Sequence, residues 1–133
     1  MQGRLNMTKT IIATDKAPAA IGTYSQAVKV GNLVFISGQI PLDPNTMEMV
    51  TRSFKDQAVR VFENLKAIAE EAGGSVNDFV KITVLLSDLK YFADVNAVMA
   101  EYFEAPYPAR AAYAVKALPK DADIEIEAIM AVA

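Results

Sequence analysis

The chain contains neither cysteine nor histidine. Thiolate nucleophiles, disulfides, zinc-type sites and every histidine-based triad are therefore excluded. Chemistry is left to Asp, Glu, Lys, Tyr, Ser, Arg and ordered water. The candidates concentrate in the stretch from Tyr107 to Val132. Arg110 follows Pro108-Ala109, so its backbone is unusually well set. A guanidinium recognises a planar carboxylate through two parallel hydrogen bonds, which suits a small organic acid. An ion pair with a local acid is the other use of such an arginine. Glu125 and Glu127 flank Ile126 in an isoleucine-rich run. One can act as a general base on water while the other pairs with a cation, or both can line the wet face of an alternating strand. Nothing local distinguishes the two acids.

Weaker candidates lie upstream. Ser37-Gly38-Gln39 ends an apolar strand, where a hydroxyl or backbone N–H can meet a ligand, although Gly38 also reads as a plain turn glycine. Tyr24 reads first as a packing residue with a satisfied hydroxyl, and Asn96 as a surface or satisfied amide, ahead of any ligand contact. Lys120 sits in a Leu-Pro-Lys-Asp turn. It makes a poor Schiff-base lysine, because nothing desolvates it and Asp121 keeps it protonated. Gly73-Gly74 follows a helical stretch instead of preceding one, so no phosphate loop is present.

The elements that must position these residues follow from periodicity. Thr10 to Ala13 is a short β-like run and residues 15 to 22 form a turn. Tyr24 to Val30 and Leu33 to Ser37 suggest a hairpin. From about Ser53, apolar residues recur at Phe54, Ala58, Val61, Phe62, Leu65, Ile68, Ala69 and Ala72. This is a helical stripe stopped by Gly73-Gly74. Phe79 to Leu86 is a strand. Ser87 or Asp88 caps a second helix with Leu89, Phe92, Val95, Met99, Tyr102 and Phe103 on one stripe and Asn96 beside it. Pro106 and Pro108 end that helix. Ala111 to Ala117 and Ile124 to Val132 are the last strands.

The order β-β-β-α-β-α-β-β predicts an α+β two-layer sandwich. A right-handed parallel crossover through the first helix is expected. Two helices cover only one sheet face. The Glu125/Glu127/Ile129 face is then left for other subunits to close, which predicts an oligomer.

Size and charge bound the remainder. The 133 residues suffice for one core, expected over residues 9–133 after a flexible lead-in at residues 1–8. At 53% hydrophobic and 22% charged the chain is not of disordered composition. A net charge of −3, with no Lys/Arg run, argues against nucleic acid as a partner. No apolar run is long enough for a membrane span and no signal-peptide core precedes the domain. A cytoplasmic protein is the default expectation.

Four segments together resemble a known family: APAAIGTYSQAV (17 to 28), LVFISGQIP (33 to 41), YPARAAYAV (107 to 115) and LPKDADIEIEAI (118 to 129). They are similar to the RidA family, also called YjgF/YER057c/UK114, over nearly the whole chain after about Thr8. The resemblance implies a chorismate-mutase-like trimer with a cleft between each pair of subunits. It also implies cofactor-independent hydrolysis of 2-imino and enamine acids, such as 2-aminoacrylate, to 2-keto acids and ammonium. Pyridoxal-phosphate-dependent dehydratases generate such intermediates, so a functional link to them is expected. By motif, Arg110 matches the carboxylate clamp and Glu125 the residue that positions or activates water. Tyr24, Ser37, Gly38, Asn96 and Ala112 match further substrate-binding positions, with no metal or cofactor site. The chain departs from the family pattern in having Ala112 for a frequent cysteine, Thr23 for a usual proline and Met47 for a common glycine.

The implied mechanism holds the carboxylate on Arg110 while Glu125 directs water onto the C=N carbon. If residues 111 to 117 and 124 to 130 pair as a simple hairpin, Arg110 lies six residues from the partner of Glu125. At roughly 3.3 Å per residue that is about 20 Å. The expectation is that the two meet across a subunit interface. Two other functions use the same residue set: a non-catalytic carboxylate-binding or regulatory protein of the same fold, and an endoribonuclease or translation inhibitor of the kind reported for some relatives. The acidic balance and missing histidine argue against the latter.

Overall fold

The computed structural model describes residues 8–133, so the lead-in expected at residues 1–8 lies, Thr8 apart, outside the described residues. Six strands form one sheet: β1 (Thr10–Ile12), β2 (Ala27–Val30), β3 (Leu33–Gln39), β4 (Phe79–Leu86), β5 (Ala109–Ala114) and β6 (Ile124–Ala131). Two helices, α1 (Phe54–Glu71) and α2 (Phe92–Tyr102), pack on one side of it. Helix α1 begins where Ser53 Oγ accepts from the Asp56 N–H at 3.1 Å, satisfying one of the free donors of the first turn. Asp88 caps a short turn, Leu89–Tyr91, that leads into α2.

The alternation in β6 sorts the sheet into two faces. Ile124, Ile126, Ala128 and Met130 are buried with Val34, Ile36, Ile82, Val84 and Leu86 under the helix residues Val61, Phe62, Leu65, Ile68, Val95 and Val98. The opposite face carries a row paired strand to strand, Ile11–Val28–Phe35–Ile129–Lys81. Ile11 is 54% and Phe35 45% exposed, and Leu33 on the same face is 42% exposed. Among the described residues no helix covers that face, and no described helix is long and apolar enough to cross a membrane.

The strand order is β1-β2-β3-β6-β4-β5, antiparallel throughout except for parallel β4 and β5. The expected hairpin between the last two strands is therefore incorrect. β4 lies between them, and Glu125 pairs with Leu85, not near Lys116. The physical reason is burial. One whole face of β6 is apolar and goes to the sheet interior, whereas every residue of β5 retains solvent exposure, as an edge strand does. β5 also starts two residues earlier than expected and ends at Ala114, which places Arg110 inside the strand. Leu89, expected in the helical stripe, is 55% exposed.

Candidate functional site

Two separate groups emerge. The first lies where β3 ends and β6 begins, in a cavity of about 610 Å³ lined by Tyr24, Ser37, Gly38 and Glu125. Gly38 is not a turn glycine. It sits in a β-bulge, because the pairing of β3 with β6 shifts register between Ile36 and Gln39. A Cβ on Gly38 would stand 2.9 Å from Cδ of Glu125, so the carboxylate lies directly against the bulge and needs a glycine there. Glu125 is half-buried, and its pKa is raised, first by desolvation and then by the charge of Glu127. Glu127 is exposed, and the cavity excludes it. The structure thus separates two acids that the sequence alone leaves equivalent. Ser37 Oγ donates to Ser25 O at 2.6 Å, which leaves its lone pairs, and not its proton, for a ligand.

The second group is built on Arg110. Its guanidinium carbon lies 4.8 Å from the centre of the Phe92 ring, and Nη1 donates to Asn96 Oδ1 and contacts Met99 Sδ at 3.5 Å. Phe92, Asn96 and Met99 fall at i, i+4 and i+7 of α2, one helical face turned toward β5. Hollows of about 420 and 430 Å³ flank the arginine, the first beside Tyr107 and Pro108, the second over Ala112.

The two groups lie on opposite faces of the sheet. Arg110 pairs with Ile82 and Ile82 with Ala128, all on the helix-covered side. Glu125 alternates with buried Ile124 and Ile126 and points to the other side. Glu125 is level with Leu85 and Tyr113, three residues along β5 from Arg110 and two strands across. The backbone separation is about 14 Å at ordinary strand spacings. Within one chain the structure brings together Tyr24, Ser37, Gly38 and Glu125, and separately Asn96, Arg110 and Ala112. It does not join the two sets.

Several contributors carried no local sequence signal. Buried Gln26 receives the Thr14 N–H on Oε1 at 2.7 Å, and its Nε2 donates to the carbonyls of Thr14, Ala17 and Pro18. This pins the loop that forms one wall of the Glu125 cavity. Buried Asn64 holds another part of the lining by donating to Leu42 O at 3.0 Å and Ile40 O at 3.4 Å. Lys120, read as a turn lysine and a poor Schiff-base candidate, lines this cavity from a backbone with φ +54°. Met47 also lines it, at φ +60°. Left-handed backbone costs a residue with a Cβ roughly 1–2 kcal/mol that a glycine would not meet. Among the described residues no group of three or more metal-binding side chains is assembled.

Comparison with known proteins places these features in context. The family model described as endoribonuclease L-PSP matches residues 14–132. The chain is 46% identical to mouse 2-iminobutanoate/2-iminopropanoate deaminase, over 93% of this chain and 92% of that protein. It is 59% identical to RidA of the Antarctic bacterium Psychrobacter sp. PAMC 21119, with a TM-score of 0.89 over 92% of this chain and 99% of that one. It is 46% identical to Escherichia coli TdcF, a structure with bound serine, with a TM-score of 0.87 over 93% and 99% of the two chains.

Proposed function

The chain belongs to the RidA/YjgF/YER057c/UK114 family, and from that premise we propose that it hydrolyses 2-imino and enamine acids to 2-keto acids and ammonium in a site shared between subunits. The observation that carries the proposal is the placement of Arg110 and Glu125 on opposite faces of one sheet. Each is prepared for a role it cannot perform alone. Arg110 is fixed by Asn96 and Phe92 with donors to spare for a carboxylate. Glu125 is a carboxylate of raised pKa in a cavity, suited to taking a proton from water.

In this reading one protomer contributes Tyr24, Ser37, Gly38 and Glu125, and its neighbour contributes Asn96, Arg110 and Ala112. The neighbour's arginine holds the substrate carboxylate and fixes the C=N carbon against a water on Glu125. Glu125 accepts a proton as the water oxygen bonds to carbon and the C=N π bond breaks, and returns that proton to the nitrogen. Glu125 then takes the hydroxyl proton of the tetrahedral carbinolamine and passes it to the same nitrogen as the C–N bond breaks, so ammonia leaves and the C=O of the 2-keto acid forms. The C=N carbon is already electrophilic, so the step needs no cofactor. Ala112 has no thiol, and the mechanism uses none.

The exposed row of Ile11, Phe35 and Leu33 supports a closed assembly of three chains with these sheet faces inward. Reactions that eliminate water from hydroxy amino acids, as pyridoxal-phosphate-dependent dehydratases do, generate the substrate class. A ligand-binding role without catalysis draws its support from the serine held by the similar TdcF structure. It would use the same arginine and leave Glu125 idle.

Co-assembly tests the shared site. Arg110→Ala and Glu125→Gln chains, each low in kcat/KM alone, should recover 2-keto acid release at subsaturating substrate when mixed trimers form, because some clefts then receive an intact residue from each side. Mixed trimers with no more activity than either parent would refute it.

A further inference from the structure

Among the described residues only three without a glycine backbone adopt positive φ: Met47, Lys120 and Asp121. Met47 and Lys120 come from separate loops and line the same cavity as Glu125. Strain of this kind persists where the surroundings over-determine it and is concentrated at ligand clamps. The surroundings of Met47 do so. Its N–H donates to Asp43 O at 2.8 Å, and the Asp43 N–H donates to Glu48 O at 2.9 Å. The Asp43 carboxylate accepts from the N–H groups of Asn45 at 2.8 Å and Thr46 at 3.2 Å. The turn thus imposes a conformation that glycine fits without strain, and from that turn Met47 lines the cavity.

We propose that Met47 determines which substrate side chain the site accepts, favouring unbranched apolar chains of four carbons or so over the methyl of 2-iminopropanoate. The inference rests on the deaminase reading above. Ile21, Ile40 and Leu42 form an apolar wall with Met47, and a cavity of about 610 Å³ holds far more than a three-carbon acid. The thioether chain of methionine is flexible and polarisable and moulds to a linear partner. Tyr24, Ser37, Gln39, Lys120 and Glu125 supply the polar groups of the same lining, so the apolar residues are left for the part of the substrate remote from the reacting carbon.

The test compares 2-iminopropanoate, 2-iminohexanoate and 2-iminopentanedioate, generated in place by an amino acid oxidase, with 2-keto acid release measured above spontaneous hydrolysis. In the wild-type assembly 2-iminohexanoate should have the highest kcat/KM. Met47→Gly removes the side chain and suits the left-handed backbone, so the protein stays folded while the hexanoate-to-propanoate ratio falls about tenfold. Met47→Asn also tolerates that backbone and should lose the ratio equally, whereas Met47→Leu should keep it. A ratio unchanged within twofold in both Met47→Gly and Met47→Asn overturns the inference. Faster turnover of 2-iminopentanedioate than of 2-iminohexanoate overturns it as well and shifts selectivity to Lys120. A wild-type protein inactive on all three overturns the deaminase reading, and this inference with it.

Discussion

The Arg110 and Glu125 groups are prepared in opposite ways. Arg110 is set by contacts: an aromatic ring beneath it, an amide beside it and a thioether at its edge. Glu125 is set by the removal of contacts: a missing side chain at Gly38, partial desolvation and a like charge two residues on. A cation meant to bind should be held in place while still carrying its charge. A carboxylate meant to take a proton should be uncomfortable as an anion. On the proposed reading, the difference means that the same sheet would supply a rigid binding half and a reactive half, each facing a different partner.

The largest effects should come from the reactive half. Glu125→Gln should lower kcat by about 10²–10⁴-fold, the range for loss of a general base, while carboxylate ligands still bind. Gly38→Ala leaves the acid in place but pushes it off the bulge, since the new Cβ would lie 2.9 Å from Glu125 Cδ. Displacement near 1 Å can cost about 10²-fold. The two substitutions should not add. If Gly38→Ala lowers kcat by the same factor in a Glu125→Gln background, the glycine acts on something other than this carboxylate.

The binding half should respond differently and less. Phe92→Leu keeps bulk but removes the aromatic face under the guanidinium, a contact worth about 0.5–2 kcal/mol. On the proposed mechanism Arg110 would hold the carboxylate in ground state and transition state alike, so KM should rise about 2- to 30-fold with kcat nearly unchanged. Steady-state kinetics on one imino acid decides this. A fall in kcat at constant KM would mean that the arginine also acts on the reacting carbon, and the contrast between the halves would fail.

The parts of this arrangement that the sequence made legible are those governed by local period. Ile124, Ile126, Ala128 and Met130 alternate with Glu125 and Glu127, and that alone assigns the acids to the uncovered face. Ser53 and the α1 stripe mark a helix through contacts within a few residues. Strand adjacency was not legible. Whether β6 lies beside β5 or is separated from it by β4 depends on which strand can be buried, a property of the whole sheet. The hairpin premise was wrong, yet the inability of one chain to join Arg110 to Glu125 stands on firmer ground, since opposite faces separate them more decisively than distance. Gln26 and Asn64 were invisible for a related reason. The carbonyls they donate to lie 8 to 24 residues away, and a lone polar residue does not announce which carbonyls it will meet.

The smallest predicted effect is on stability, and it links the two halves directly. Within one chain the folded pKa of Glu125 lies above its ordinary value of 4.5, because burial and Glu127 disfavour the anion. A group raised in this way contributes stability that is fully present below its unfolded pKa and is lost as pH rises through the folded value. Glu125→Gln removes that loss. The variant should therefore melt above the wild type at neutral pH, and the two should converge as pH falls below about 4.5. A neighbour's guanidinium in the same cleft would relieve the anion and narrow the gap. The gap at neutral pH should thus be wider in an Arg110→Ala background, provided both proteins remain assembled. Thermal melts of the four proteins across pH decide it. An equal gap with and without Arg110 would mean that the two charges never share a cleft, because an arginine kept on the far side of its own sheet has no path of low dielectric to Glu125.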